Sequence, residues 1–131
     1  MPERDYSQVP LWKKLGVVEG ARVRLVGLPK SVTELAKLPA WAKSARADLD
    51  VAVLFATHQS KLTAAFSPLI GSVAERGGLW VSWPKKTSKV EHDLDFETVQ
   101  QLGLSSGLVD NKICRVDDDW QAIRFVRRLK K

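Results

Sequence analysis

The chain has 131 residues, of which 44% are hydrophobic, and this length predicts one domain over residues 1–131. Its single cysteine, Cys114, excludes an internal disulfide and a cysteine-based metal cage. The net charge of +6 is scattered in small basic clusters, and no helix carries a basic stripe, which disfavours nucleic acid as a partner.

The first residues predict an arm and a location. Residues 1–9 are mostly polar and are expected to be a flexible N-terminal arm. Leu11 and Trp12 follow it, and we expect them either to tie the arm to the body or to pack against a second copy in a homodimer. No apolar run reaches the length of a membrane span, and the first residues are polar where a signal peptide would be hydrophobic. We therefore expect a cytoplasmic protein without a membrane partner.

The next segments predict a strand and a short helix. Arg22–Val26 alternates basic and apolar residues, which indicates a strand with one thinly covered face. Ser31 and Glu34 match a capping box, so we expect a short helix from Ser31 to about Lys37. The residues from Pro39 to Asp48 are too mixed to assign beyond a short edge strand.

The middle of the chain has the clearest periodicity. Six consecutive apolar residues, Val51–Ala56, predict a strand buried on both faces at the centre of the sheet. Apolar side chains at helical spacing then predict a helix over Ser60–Glu75, kinked or restarted at Pro68. Leu79–Trp83 predicts the next strand, in which Trp80 and Trp83 should face opposite sides.

The last third predicts a short helix and a hairpin. Apolar residues from Phe96 to Leu102 indicate a helix that Asp93 or Asp95 opens and Gly103 closes. Two strands, Val109–Val116 and Ala122–Leu129, are joined by a few residues around Asp117–Asp119 and should pair antiparallel. The element order predicts an α/β fold, an abbreviated Rossmann-like three-layer sandwich with a mixed sheet of about five or six strands and a C-terminal antiparallel hairpin.

Two known families are similar to this chain. The buried strand from Asp50, the strand that Gly77-Gly78 precedes and the final hairpin, within residues 50–131, resemble the second half of class I S-adenosylmethionine-dependent methyltransferases. The stretches that resemble the bacterial domain of unknown function 3052 family span nearly the whole chain: Tyr6-Ser7, Pro10-Leu11-Trp12-Lys13-Lys14-Leu15-Gly16, Gly20-Ala21-Arg22-Val23, Trp80-Val81-Ser82-Trp83-Pro84-Lys85-Lys86, Gly107-Leu108-Val109-Asp110 and Val126-Arg127-Arg128. That second resemblance implies no activity.

The methyltransferase resemblance implies a cofactor cradle that this sequence lacks. In that fold a turn with two glycines follows the first strand, and an acidic residue follows the second. Here the turn reads Gly27-Leu28-Pro29-Lys30, with one glycine and a rigid proline. The segment from Val26 to Val51 is also short. We therefore expect no cofactor.

The loops that follow the parallel strands should gather at one edge of the sheet. This placement predicts a ligand-binding crevice with Lys30, Lys85 and Lys86 around an anion, a flat face from Trp83, and a titratable ring from His58. Base rates nevertheless favour a solvated surface for the lysines and a place in a helix-opening turn for His58.

Other polar groups predict no catalytic or metal site. Glu91, His92 and Asp93 are adjacent, so their side chains point in different directions, and no second cluster completes a metal site. The sequence therefore predicts a non-enzymatic binding or interaction domain with a small anionic ligand at the carboxyl ends of its strands. The alternative is a minimal or degenerate S-adenosylmethionine-dependent methyltransferase, and a third hypothesis is nucleic-acid binding.

Overall fold

The computed structural model describes residues 9–40 and 42–128, so the predicted arm lies outside the described residues except for Val9. Within these ranges the elements, in chain order, are α1 (Leu11–Lys14), β1 (Arg22–Val26), a 3-10 helix (Thr33–Leu35), β2 (Lys43–Ser44), β3 (Leu49–Phe55), α2 (Gln59–Ile70), β4 (Val73–Pro84), α3 (Phe96–Ser105), β5 (Leu108–Arg115) and β6 (Trp120–Arg127). Each predicted strand is present, and the segment left open supplies the short edge strand β2.

The strands form one mixed sheet in the order β2-β1-β3-β4-β6-β5. The strands β2, β1, β3 and β4 run parallel to one another, whereas β6 runs antiparallel to both β4 and β5. The predicted fold class is therefore confirmed, including the closing antiparallel hairpin. The most apolar strand, β3, lies inside the sheet as expected, because a strand covered on both faces leaves few positions for polar side chains.

Two regular helices, α2 and α3, cover what we call the first face of the sheet. Leu62, Phe66 and Leu69 of α2 and Val99 of α3 pack on it. The ring of Phe66 meets Phe125 edge to face, with the ring centroids 6.1 Å apart. This face is closed by side chains at helical spacing, which is why the sequence predicts its helices.

Irregular segments cover the opposite, second face. Leu11 and Leu15 from the α1 region and Val32 and Leu35 from around the 3-10 helix pack there. The indole Nε1 of Trp80 donates to the Leu15 carbonyl at 2.9 Å and ties α1 to the sheet. Trp80 and Trp83 belong to opposite faces, as predicted, and both are buried.

The predicted capping box at Ser31 is wrong. A 3-10 helix of three residues stands where a longer helix was expected, and Val32 precedes it without a side-chain cap. The Glu34 carboxylate instead accepts from the Leu11 backbone N–H at 3.2 Å. The physical reason is that the N–H groups opening α1 also lack partners, and Glu34 lies within their reach.

Several predicted boundaries shift in the structure. Helix α2 ends at Ile70, not Glu75, because Pro68 lies in its last turn and residues from Val73 join the long strand β4. Helix α3 opens at an Asp95 N-cap as predicted, but it continues through Gly103 to Ser105.

Leu11 packs inside its own chain. It is only 2% exposed, so its predicted role as a contact in a homodimer is wrong, and α1 joins the second-face core in cis. Trp12 is half-buried against the same cluster. None of the helices in the described ranges is long and apolar enough to cross a membrane.

Candidate functional site at the carboxyl edge of the sheet

A loop crosses the sheet where the parallel strands end. It begins after β4, and the Lys85 backbone N–H donates to the Asp119 carbonyl at 2.7 Å. The Ser88 hydroxyl then donates to the Asp119 carboxylate at 3.1 Å. We call residues 85–95 the edge loop, because these bonds fix its first half to the β5–β6 turn before it reaches β3.

Asp93 fixes the second half of the edge loop. Its backbone N–H donates to the Thr57 carbonyl at 3.1 Å, and its carboxylate accepts from the Gln59 N–H at 2.7 Å. Asp93 thus occupies the beginning of α2 from 34 residues away. His58 lies beside it at the N-cap position, with Nδ1 2.8 Å from the Thr57 hydroxyl. An anionic ligand would find the Gln59 N–H at this helix end already partnered.

A cavity of about 380 Å³ opens beside the edge loop, at the end of β4. This volume suits a small molecule. The residues that line it are Trp83, Pro84, Lys86, His92, Leu94, Asp95, Phe96, Glu97 and Gln121. The rings of Trp83 and Phe96 are tilted with centroids 6.1 Å apart, and Phe96 is 38% exposed. The cavity therefore combines an apolar wall with a polar rim.

The rim carries one imidazole and a carboxylate that remains ionised. The Nδ1 atom of His92 accepts from the Leu94 N–H at 3.3 Å, so the neutral ring presents an N–H at Nε2. Hydrogen bonds from the Thr98 side chain and backbone hold the pKa of Asp95 below its ordinary value, and the Lys86 charge lowers that pKa further. The edge thus offers donors from His92 and Lys86 and an acceptor from Asp95.

The five predicted site residues separate in the structure. Trp83 and Lys86 line the cavity, and Lys85 adjoins it. His58 is at the start of α2, whereas the exposed Lys30 follows β1 and lines none of this cavity. Sequence reasoning missed His92, Asp95 and Phe96 as lining residues. The available signal was the loop that follows β4, but the predicted crevice included this loop only as far as Lys86.

The turn after β1 does not fit a glycine cradle. Gly27 has φ +74°, and a Cβ there would lie 2.7 Å from the Phe55 carbonyl oxygen, so this glycine serves the packing of the turn on β3. At the amino ends of the strands, the Asp50 carboxylate accepts from the Arg22 N–H at 2.8 Å, and Asp48 lies 3.5 Å from the Arg22 guanidinium. Neither carboxylate is therefore placed to hold a ribose at the carboxyl edge.

One buried donor at this edge lacks an acceptor among the described residues. The Nε1 atom of Trp120 is buried and unpaired, and its ring meets Phe55 edge to face at 5.7 Å. An unpaired buried N–H costs about 1 to 3 kcal/mol. This donor fits a bound group that brings an acceptor to the end of β3.

The solved structures similar to this chain include several methyltransferases. Magnesium protoporphyrin IX methyltransferase from Synechocystis PCC 6803, with bound SAH, has a TM-score of 0.66 at 10% identity over 93% of this chain and 81% of that one. A ribosomal protein L11 methylase from Lactobacillus delbrueckii subsp. bulgaricus has a TM-score of 0.59 at 11% identity over 97% and 81%. A SAM-dependent methyltransferase from Aquifex aeolicus has a TM-score of 0.52 at 14% identity over 92% and 93%.

These neighbours confirm the methyltransferase-like fold. They also overturn the expectation of a non-enzymatic binding domain, because enzymes that use S-adenosylmethionine share the fold of nearly the whole chain and support the alternative, a minimal methyltransferase, better. No family model matches the sequence. No curated protein matches it significantly either.

Proposed function

We propose that this chain is a minimal S-adenosylmethionine-dependent methyltransferase that works at the carboxyl edge of its sheet. The observation that supports this most is the fold match across 93% of the chain to a methyltransferase with bound SAH. The position of the cavity adds support, because open α/β sheets bind ligands beyond the carboxyl ends of their strands.

The residues of this edge suggest which part of the ligand or cofactor each of them contacts. Trp83 is 1% exposed, so the flat face predicted for it is covered, and we assign the exposed Phe96 ring that packs on it to a flat part of a ligand. We assign the Lys86 ammonium to an acceptor atom of that ligand. The His92 N–H is a second donor at the rim. The Trp120 ring contacts Phe55 at the end of β3, and we assign its unpaired N–H to the cofactor.

The cofactor itself would supply the methyl group. Because the β1 turn does not form a glycine cradle, fewer backbone N–H groups approach that ligand than a turn with two glycines allows. We therefore expect weaker cofactor binding than a complete cradle would give. The remaining predicted residues, Lys30, His58 and Lys85, border this region and are proposed as secondary contacts.

Calorimetric titration with S-adenosylmethionine and with its demethylated product tests the proposal. We expect both to bind with dissociation constants of about 10 to 100 μM, equivalent to roughly −7 to −5.5 kcal/mol. Trp120→Phe keeps an aromatic ring but removes the donor, so it should weaken binding about 5-fold, as expected for one hydrogen bond. Lys61→Gln, on the exposed side of α2, is the control. If the wild-type chain showed no binding at about 1 mM ligand, a concentration about one hundred times the lower expected dissociation constant, the proposal would be overturned.

Finer assignments remain predictions of the sequence. These are membership of the domain of unknown function 3052 family, a bacterial origin, a cytoplasmic location and a single domain over residues 1–131.

A further inference from the structure

The outer strands of the sheet leave part of the second face without a helix. The helices α2 and α3 pack on the first face, and α1 and the 3-10 helix reach Trp80 on β4. Beyond Trp80, the cross-strand neighbours on this face are Arg124 of β6 and then Lys112 of β5. Two cations therefore stand side by side on an open sheet surface.

Arg124 is a half-buried cation with no partner among the described residues. Its guanidinium lies against the backbone of Gly78, where any larger residue would overlap it. Burial lowers the pKa of Arg124, which shows that the charge has lost part of its hydration. Partly buried arginines are normally paired, so an unpaired one favours a site for an external anion.

A groove of about 400 Å³ adjoins this cation. Its lining contains three basic side chains and no carboxylate, and consists of Lys14, Trp80, Lys112, Ile113, Cys114 and Arg115. Asp118 pairs with Arg115, which leaves Lys14 and Lys112 as unpaired charges in the groove among the described residues. Arg124 is the cross-strand neighbour of both Trp80 and Lys112, so a third unpaired cation, from β6, stands beside the groove.

We propose that this basic groove binds the phosphodiester backbone of a nucleic acid, a property independent of the proposed methyl transfer. The cations are distributed over an open surface, which suits successive phosphates of an extended strand better than one enclosed anion. The net charge of +6 adds long-range attraction for such a polyanion. The sequence disfavours nucleic acid because no single helix carries a basic stripe, whereas these residues come from three elements.

Fluorescence anisotropy with a labelled 20-nucleotide oligothymidine tests binding. We expect binding at low salt, a steep loss as sodium chloride rises, and a slope of log affinity against log salt that falls by about 0.7 in Lys112→Gln. Arg124→Gln should weaken binding at least as much, with its thermal unfolding measured alongside because Arg124 packs on Gly78. Lys61→Gln removes the same charge from the exposed surface of α2 and should leave the affinity nearly unchanged.

Cys114 reports whether binding occurs in this groove. It is the only cysteine of the chain and lines the groove, so its alkylation by iodoacetamide measures access to that surface. We expect the oligonucleotide at low salt to slow alkylation of the wild-type chain several-fold, and to protect Lys112→Gln less.

Three results would overturn the proposal: no binding at low salt, an equal loss in Lys112→Gln and Lys61→Gln, or unchanged alkylation of Cys114. Inorganic phosphate at matched ionic strength should not protect Cys114. Equal protection by phosphate would instead indicate a site for a single anion. None of these measurements requires S-adenosylmethionine, so their failure is separate from failure of the proposed methyltransferase function.

Discussion

The two faces of the sheet are closed by different means. On the first face two regular helices bring close-packed aromatic rings, including Phe66 against Phe125. On the second face the core is covered by α1, the 3-10 helix and loops. On this face the Trp120 N–H is unpaired and Arg124 has no partner among the described residues. The difference teaches that irregular segments can close one face of a sheet and still leave polar groups on it available for ligands.

The largest expected effect tests the tight packing of the first face. Gly103→Ala places a Cβ inside the Phe125 ring, so we expect a loss of about 2 to 4 kcal/mol in the free energy of unfolding, although alanine is the better helix former. Urea denaturation measures it. Gly71→Ala is the matched control, because its Cβ would meet nothing closer than 3.5 Å and should be neutral or stabilising. Equal effects at the two positions would contradict this view of the first face.

The next effect concerns the turn between β1 and the carboxyl edge. Gly27→Ala forces a positive φ on alanine and a contact of 2.7 Å with the Phe55 carbonyl, so we expect a loss of about 2 to 3 kcal/mol. Gly20→Ala has a similar φ of +80° but open space, and should cost only about 1 kcal/mol. Denaturant unfolding of the two variants separates steric contact from backbone strain, and a smaller loss at Gly27 would show that the turn moves freely.

A tryptophan pair compares a satisfied and an unsatisfied indole on the second face. Trp80→Phe removes the donor to the Leu15 carbonyl and leaves space, so we expect a loss of about 2 to 3 kcal/mol. Trp120→Phe also loses area but removes an unpaired N–H, so its net change should stay below about 1 kcal/mol. Thermal unfolding of both variants measures the difference. If Trp120→Phe cost as much as Trp80→Phe, the Trp120 N–H would have an acceptor in solution.

The smallest effect is a dependence on pH at the start of α3. The folded pKa of Asp95 is lowered, so its ionised form stabilises the fold above the ordinary value near 3.8, and this contribution is lost as pH falls through the folded pKa. Asp95→Asn keeps a capping side chain but removes the charge. It should melt slightly below wild type at pH 7 and match it in strong acid. Glu91→Gln, exposed on the edge loop, is the control, and a gap that persists in acid would rule out the charge as its cause.

Local patterns predicted much of the fold. The sequence predicts β3, the hairpin and the Asp95 cap because each of these depends on residues that are near one another in the chain. The capping box failed because a distant N–H of Leu11 competed for Glu34.

The candidate site was harder to predict because distant residues build it. Asp93 reaches the start of α2 over 34 residues, and the edge loop brings His92 to Trp83. Neither placement leaves a local pattern. The basic groove likewise depends on the cross-strand register of Lys112 and Arg124, which the sequence alone does not fix.

The strand order also constrains how the protein is made. In the sheet, β6 lies between β4 and β5, so the hydrogen-bonding neighbour of β5 is synthesised after it. Until β6 is synthesised, β5 has no strand to pair with, and the edge of β4 stays uncovered. Chaperones that shield nascent chains would meet the uncovered β4 edge during this interval, which ends when the hairpin docks as a unit.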